Sequence, residues 1–268
     1  MAVREPAVAG MFYPGDGATL KKYCQARLGP RSPLISAKAV VLPHAGYTYS
    51  GETACRVLSQ VDVPKSNFLI GPNHHGRGAP FAIMSNGEWE TPLGRVRIQS
   101  GLASGLLTAC GRLTDDSLAH RDEHSLEVEV PFLQTRNPQM ELVPLVVGTR
   151  DLADAREVAR SCGKYLATSP ERILVVVSSD MNHFESDEAT RVKDAYALRA
   201  VEALDEEALA KAIKTHRITM CGFVPVYMLL SMKEALGIHK ATLVDYRTSA
   251  DATGDQDRVV GYAGFIFE

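Results

Sequence analysis

Histidines in four segments of this chain have the types and positions that chemistry requires. VVLPH ends at His44, FLIGPN precedes His74, the pair DE precedes His124, and VVVSSDMN precedes His183. In open α/β sheets, ligands bind beyond the carboxyl ends of the strands, where loops escape the packing demands of the core. Neutral imidazole both ligates metals and accepts protons near pH 7. These segments therefore predict a metal site or an acid/base cluster at one sheet edge.

The spacing between His44 and His74 supports a shared site. Thirty residues separate them, the length of one strand, crossover helix and strand. Alone, His44 would be explained as a turn cap and His74 as a partner of a loop carbonyl. Because both follow apolar runs in the same way, we favour a common metal ion.

Cys221 differs from the other cysteines in its context. It directly precedes the apolar segment GFVPVYMLLS, which predicts a helix with Pro225 in its first turn. Backbone amides at a helix start lower the pKa of a thiol, and the thiolate is the form that binds metals. A buried structural thiol remains the alternative. No C-x-x-C pair is present, which argues against a disulfide framework or a four-cysteine zinc site.

Asp180, His183 and His124 are the candidates for proton transfer. Asp180 and His183 follow the same apolar run, so we expect a carboxylate and an imidazole in one loop. His124 follows two acidic residues, whose charge would favour the protonated ring. The alternative for that segment is a helix start, with Asp122 as its cap and Glu127 in the first turns.

The elements that must position these residues alternate in type. Apolar, β-branched runs predict strands at AKAVVLP, NFLIGPN, LVPLVVG, RILVVVSS, ATLVDY and VVGYAGFIF. Helical spacing predicts helices over Leu20 to Leu28, Glu52 to Val61, Leu152 to Leu166, Arg191 to Leu204, Glu206 to Thr215 and Phe223 to Leu236. In PFAIMSNGEWETPLGRVRI, SNGE and PLGR predict turns between antiparallel strands. We expect an α/β fold with a mixed, largely parallel sheet in one domain, residues 1–268, and a polar loop between the last two strands.

Composition excludes several classes of protein. The chain is 45% hydrophobic and 23% charged, with a formal net charge of −3. These values are typical of a globular protein and argue against a basic nucleic-acid-binding surface. No apolar stretch reaches the roughly 18 residues of a membrane helix, and the N-terminus lacks the apolar segment of a secretory signal. We therefore expect a cytoplasmic protein.

The chain closely resembles the Memo family in a series of motifs. The matching segments are REPAVAGMFYPGD, LPHAGYTYSG, IGPNHHG, DEHSLEVEVPFL, SSDMNH, MCGFVP, DYRTSAD and VGYAGFIF, in family order from residue 4 to residue 267. LPHAGYTYSG and GPNHH together are specific, whereas any single motif would be weak. The resemblance implies a fold similar to class III extradiol dioxygenases, the non-haem iron enzymes that open catechol rings.

The same resemblance implies roles for the residues singled out above. The metal ligands would be His44, His74 and Cys221, while His124 and His183 would fall where the dioxygenases keep acid/base histidines. Asp180 would border the metal. The dioxygenases use two histidines and a carboxylate, so a cysteine here replaces an oxygen ligand with a softer, oxidisable one. Ring cleavage is therefore not inherited with the fold.

Three functions remain open on the sequence. The first is redox or oxygenase-like chemistry on a small substrate, with one metal ion, iron first and copper or zinc as alternatives. The second is a binding or adaptor protein whose metal pocket receives a peptide or small ligand, since eukaryotic relatives are described as signalling proteins. The third is zinc-dependent hydrolysis. Bacterial and archaeal members also resemble part of a set that includes a radical-SAM protein, which suggests a functional link.

Overall fold

A computed structural model describes residues 2–29 and 34–268. Its strands, in chain order, are β1 (Val3–Arg4), β2 (Ala39–Leu42), β3 (Ser66–Pro72), β4 (Phe81–Ile83), β5 (Glu88–Thr91), β6 (Gly94–Arg97), β7 (Thr114–Asp115), β8 (Glu141–Val147), β9 (Ile173–Ser178), β10 (His183–Glu185), β11 (Ala241–Thr248) and β12 (Val259–Phe267). Its α-helices are α1 (Gly17–Leu28), α2 (Tyr47–Leu58), α3 (Ser100–Ala109), α4 (Val130–Arg136), α5 (Leu152–Ala167), α6 (Asp187–Glu202), α7 (Glu206–His216), α8 (Phe223–Leu236) and α9 (Ala250–Thr253). Short 3₁₀ helices span Ser117–His120 and Glu127–Glu129.

A nine-stranded mixed sheet forms the centre of the molecule. Its strand order is β10-β12-β2-β9-β3-β8-β4-β7, and β11 pairs with β12 outside this path. The neighbours β2, β9, β3 and β8 are parallel, whereas β12 and β4 run antiparallel to β2 and β8. The predicted α/β fold with a mixed, largely parallel sheet is confirmed.

The central parts of the four parallel strands are apolar because helices cover both faces of the sheet. The connection through α2 runs from β2 to β3, and the connection through α5 returns from β8 to β9 in the opposite direction across the sheet. Right-handed crossovers in opposite directions place these two helices on opposite faces. The carboxyl ends of β2, β3 and β9 consequently meet at one edge, where the strand order reverses.

The segment predicted as paired antiparallel strands is only partly so. PLGR does form the turn between antiparallel β5 and β6, but SNGE does not join paired strands. β4 belongs to the large sheet, whereas β5 pairs in parallel with β1 in a separate three-stranded sheet. The prediction was wrong here because the pairing partner of β5 comes from the N-terminus, beyond the reach of a local turn signal.

The polar loop predicted before the last strand contains the short helix α9. No helix in the described part of the chain is long and apolar enough to cross a membrane.

Candidate metal centre

Three strand ends and one helix start position the candidate ligands. His44 lies two residues beyond β2, His74 two beyond β3, and Asp180 two beyond β9. Cys221 immediately precedes Gly222, the N-cap of α8. Because α8 packs over β3 and β9, its first residues reach the same edge of the sheet. Four separate elements thus deliver polar side chains to one place.

His44, His74 and Cys221 offer ligand atoms that all lie within 4.8 Å of one another. The Cys221 Sγ is 3.2 Å from His44 Nε2, and the rings of His44 and His74 are 5.1 Å apart between centroids. Two imidazoles and a sulfur form a donor set that suits zinc, iron or copper better than magnesium or calcium. The residues fit the metal expected from the sequence, and their role as ligands stays a prediction.

The hydrogen bonds of His44 fix its tautomer. Its Nδ1 is 2.6 Å from Ser178 Oγ, and that hydroxyl donates its one proton to the carbonyl oxygen of Ser125 at 2.6 Å. His44 Nδ1 must therefore carry a proton and donate it to Ser178, which leaves the Nε2 lone pair facing Cys221. Burial, and then neighbouring His74, lower the pKa of His44 well below its usual range. A neutral ring with a free Nε2 is the form that ligates metals.

Glu123 plays the same orienting role for His74. Its carboxylate accepts hydrogen bonds from the backbone N–H of His74 at 2.6 Å and from the ring Nδ1 at 2.8 Å. Burial acts to raise the pKa of Glu123, but the hydrogen bonds from His74 and Ser125 outweigh it and hold that pKa well below its usual range. His74 Nε2 is left for a ligand, as in carboxylate–histidine–metal arrangements.

The sequence predicts that the start of α8 lowers the pKa of the Cys221 thiol, and this prediction was wrong. Burial, and then the charge of Asp180, raise the pKa of Cys221 well above its usual range, although nearby backbone N–H groups act to lower it. Desolvation outweighs the helix amides because the sulfur lies beneath the rings and against the Asp180 backbone. A metal ion at this position would supply the positive charge that a thiolate needs.

His124 lies over the pair of candidate ligand rings. It stacks on His74 with a centroid distance of 4.6 Å and lies 5.6 Å from His44. Burial and the nearby His44 lower its pKa to about 4, the reverse of the shift expected from its acidic neighbours. Asp122 is not a helix cap but pairs with Arg77 on the surface. Neutral His124 can accept a proton in the pocket.

His183 and Asp180 lie on the other side of Cys221, and these three residues offer a second group of ligand-type atoms within 4.8 Å of one another. His183 Nδ1 donates to the carbonyl oxygen of Thr219 at 2.9 Å, so its Nε2 is the proton acceptor. Asp180 accepts the backbone N–H of His44 at 2.7 Å, and burial raises its pKa. His183 therefore has the geometry of a base, while Asp180 holds the His44 loop in place.

A pocket of about 610 Å³ opens above these side chains. His44, His74, His124, Asp180 and His183 line its inner part, and the remaining walls come from the N-terminal segment, the start of α2, α9 and β12. The volume suits a small organic molecule.

Two residues that orient the candidate ligands escaped the sequence reasoning. Glu123 was considered only as a charge beside His124, and its position two residues before the buried Ser125 gave no sign that it reaches back to His74. Ser178 reads only as the end of a strand. Ser178 is a polar residue at the carboxyl end of β9, and such positions face the site. That position was the one signal in the sequence that could have identified it.

Comparison with known proteins identifies the relatives of this chain. Residues 4–266 match the family described as Memo-like protein. A MEMO1 family protein of Aquifex aeolicus is 42% identical over the full length of both chains, and MEMO1 family protein MK0963 of Methanopyrus kandleri is 36% identical over 98% of each. The crystal structure of the uncharacterized protein JW3007 from Escherichia coli K12 is similar in fold, with a TM-score of 0.52 and 14% identity over 84% of this chain and 98% of that one.

Proposed function

Because the chain belongs to the Memo family, we propose that it binds one metal ion between His44, His74 and Cys221 and uses it for redox or oxygenase-like chemistry on a small molecule. Iron is the first candidate for that ion and copper the second. The observation that supports this most is the convergence of the three ligand-type atoms within 4.8 Å of one another, with His44 and His74 lining the pocket beside two imidazoles that need not ligate.

An iron or copper ion at this site would supply the change of oxidation state that the protein side chains lack. The chain's own residues orient and move protons. His183 Nε2 accepts a proton from a substrate hydroxyl, and its Nδ1–H stays bonded to the Thr219 carbonyl throughout. His124 lines the same pocket as a second imidazole, and its lowered pKa makes it the weaker proton acceptor of the two sites proposed. Met11 and Phe12 form part of the wall.

Metal content tests the binding half of the proposal. Anaerobic purification, elemental analysis and electron paramagnetic resonance should show close to one iron or copper ion per chain. His74→Ala should lose the metal, whereas His75→Ala, at an exposed neighbour absent from the ligand group, should retain it. Stoichiometric zinc in the native protein would contradict the redox assignment and favour hydrolysis.

Oxygen uptake tests the catalytic half. Iron-loaded protein mixed with catechols and related phenols should consume oxygen, and His183→Ala should slow this by about a hundredfold with metal content unchanged, the usual size of a general acid/base effect. The exposed His239 provides the matched control, since His239→Ala should leave the rate unaltered. Full oxygen uptake by His183→Ala would remove this histidine from the mechanism. An adaptor protein would instead show changed ligand affinity alone.

A further inference from the structure

One face of β12 runs from the candidate metal centre to the rim of the pocket. Arg258 just before the strand, and Val260 and Tyr262 within it, all line the pocket. The residues between them face away, and Val259 is fully buried. This alternation is that of an extended chain, in which every second side chain shares a face.

Tyr262 has a hydroxyl that no protein group uses. The residue is 2% exposed, yet its hydroxyl has no hydrogen-bond partner among residues 2–29 and 34–268. Other buried tyrosines differ, since Tyr13, Tyr47 and Tyr246 donate to Glu127, the Val128 carbonyl and Asp194. Burial, and then the charges of Asp180 and Tyr49, raise the pKa of Tyr262. The phenol is therefore a neutral donor that opens onto the pocket beside Asp180.

Arg258 provides a positive charge at the other end of this face. Its guanidinium lies 5.6 Å from the ring centroid of Phe184 and makes no ion pair with any carboxylate in the described ranges. The acidic side chains of the pocket wall are Asp180 and Asp255, and Arg258 is the basic one. Because no carboxylate among the described residues pairs with it, the Arg258 guanidinium can bind one negatively charged group of a ligand.

The middle of the face is apolar. Val260 lies between Arg258 and Tyr262, whose Cα atoms are about 13 Å apart at the rise of an extended strand. The rings of Phe12 and Tyr49 form other parts of the same pocket. A ligand that contacts all three residues has an oxygen near the metal centre, a flat apolar body and an anionic far end.

Building on the proposed function, we infer that the substrate is a small aromatic carboxylic acid, with its ring oxygen hydrogen-bonded to Tyr262 and its carboxylate bound by Arg258. Tyr262 and Arg258 are then the residues that determine specificity at the two ends of the ligand, and both act without the metal ion.

Calorimetric binding to the metal-free protein tests this inference with 4-hydroxybenzoate, benzoate and 4-hydroxybenzyl alcohol. The hydroxybenzoate should bind about tenfold or more tightly than the neutral alcohol, because a charged hydrogen bond is lost in the latter. It should bind about fivefold more tightly than benzoate, which lacks the ring oxygen. No such preferences in the wild-type protein would overturn the inference.

Two variants assign each preference to its residue. Arg258→Gln should abolish the preference for the carboxylate and keep that for the ring oxygen, and Tyr262→Phe should do the reverse. Arg150→Gln removes the same charge from an exposed position and should change neither. Persistence of either preference in the variant meant to abolish it would overturn the assignment.

Stability measurements separate an unused hydroxyl from a structural one. Tyr262→Phe should leave the thermal midpoint unchanged, whereas Tyr246→Phe, which loses a bond to Asp194, should lower it. The binding ratios require neither metal nor turnover. Iron-loaded protein that consumed no oxygen would therefore refute the proposed function while the ratios stood, and altered ratios with intact oxygen uptake would refute only this inference.

Discussion

Each candidate histidine ligand is oriented through the ring nitrogen that faces away from the ion. Ser178 holds Nδ1 of His44, and Glu123 holds Nδ1 of His74. Such partners commonly contribute 10- to 100-fold to metal affinity, about 1 to 3 kcal/mol. The two partners differ in charge, because Ser178 provides a neutral hydroxyl and Glu123 a carboxylate. A carboxylate partner also makes an imidazole a more basic ligand.

Glu123→Gln should therefore weaken metal binding about 10- to 100-fold while the metal-free fold persists. The amide keeps the shape of the side chain but loses the negative charge, and its NH₂ group cannot accept from His74. Competition with a chelator of known affinity measures the change. The adjacent Asp122→Asn is the matched control because Asp122 is exposed and pairs only with surface arginines. Equal losses in the two variants would assign the effect to general electrostatics.

Cys221→Ser should lower affinity for zinc, copper and iron more than for magnesium, because an oxygen replaces the soft sulfur ligand. Wild-type affinity should also fall as the pH drops, since the raised pKa of Cys221 means that the ion must displace a proton from the thiol. Titration of metal-free protein with each metal at two pH values measures both effects. A uniform loss across metals would indicate a folding defect instead.

The sequence indicates the three candidate ligands but not their environment. His44 and His74 follow apolar strands closely enough that the sheet edge is foreseeable, and Cys221 precedes a foreseeable helix. The protonation preferences of Cys221 and His124 were not foreseeable, because burial dominates both and depends on side chains remote in the chain. Local charge and helix amides predicted the wrong direction in each case.

At the scale of elements, Glu127 ties the N-terminal segment to the pocket. Its buried carboxylate accepts from Arg4 and Tyr13 at 2.6 Å, and from the backbone N–H groups of Ala7 and Val8. The segment so fixed brings the Phe12 ring within 4.9 Å of the ring of His124. A residue in a 3₁₀ turn thus fixes a wall of the pocket.

Glu127→Gln should destabilise the protein by about 3 to 5 kcal/mol, because the buried Arg4 loses its counter-charge. Glu129→Gln provides the control, since burial and then the charge of Asp180 raise the pKa of Glu129 well above its usual range and favour the neutral carboxyl, which Gln resembles. That change should cost less than about 1 kcal/mol. Urea denaturation measures both values, and equal costs would show that the charge on Glu127 contributes nothing.

The element pattern shows what local signals can predict. The long strands and the helices α5 to α8 were foreseeable because each has a continuous apolar run or a clear helical period. α3 was missed because SGLASGLLTA contains two glycines, which lower helix propensity. α4 was missed because seven residues are too few to show a period. Both helices owe their stability to burial against other elements.

At the scale of the whole molecule, three of the described histidines have a lowered pKa; His44 and His120 are buried, and His124 is half-buried. Burial lowers the pKa of His44, His120 and His124, the last two to about 4. In the unfolded chain each would titrate near 6.5. The unfolded state therefore binds more protons below that value, and folding stability is fully present above pH 6.5 and is lost as the pH falls toward 4.

His120 isolates this effect from metal binding because it lies outside the ligand groups. Its ring is fully buried against Trp89, and both ring nitrogens lack hydrogen-bond partners in the described part of the chain. Its lowered pKa comes from burial first and then from the positive charge of Arg4.

Replacing His120 should make the free energy of unfolding less dependent on pH under acidic conditions. His120→Phe keeps an aromatic ring in the site, so the slope of unfolding free energy against pH near pH 5 should decrease by about 1.4 kcal/mol per pH unit, the effect of one proton. Urea denaturation of metal-free protein between pH 4.5 and pH 7.5 measures the slope. The exposed His239→Phe should leave it unchanged, because that ring faces solvent in the folded protein as it does in the unfolded chain. An unaltered slope in His120→Phe would mean that the acid sensitivity resides in His44 and His124, and hence in the metal centre itself.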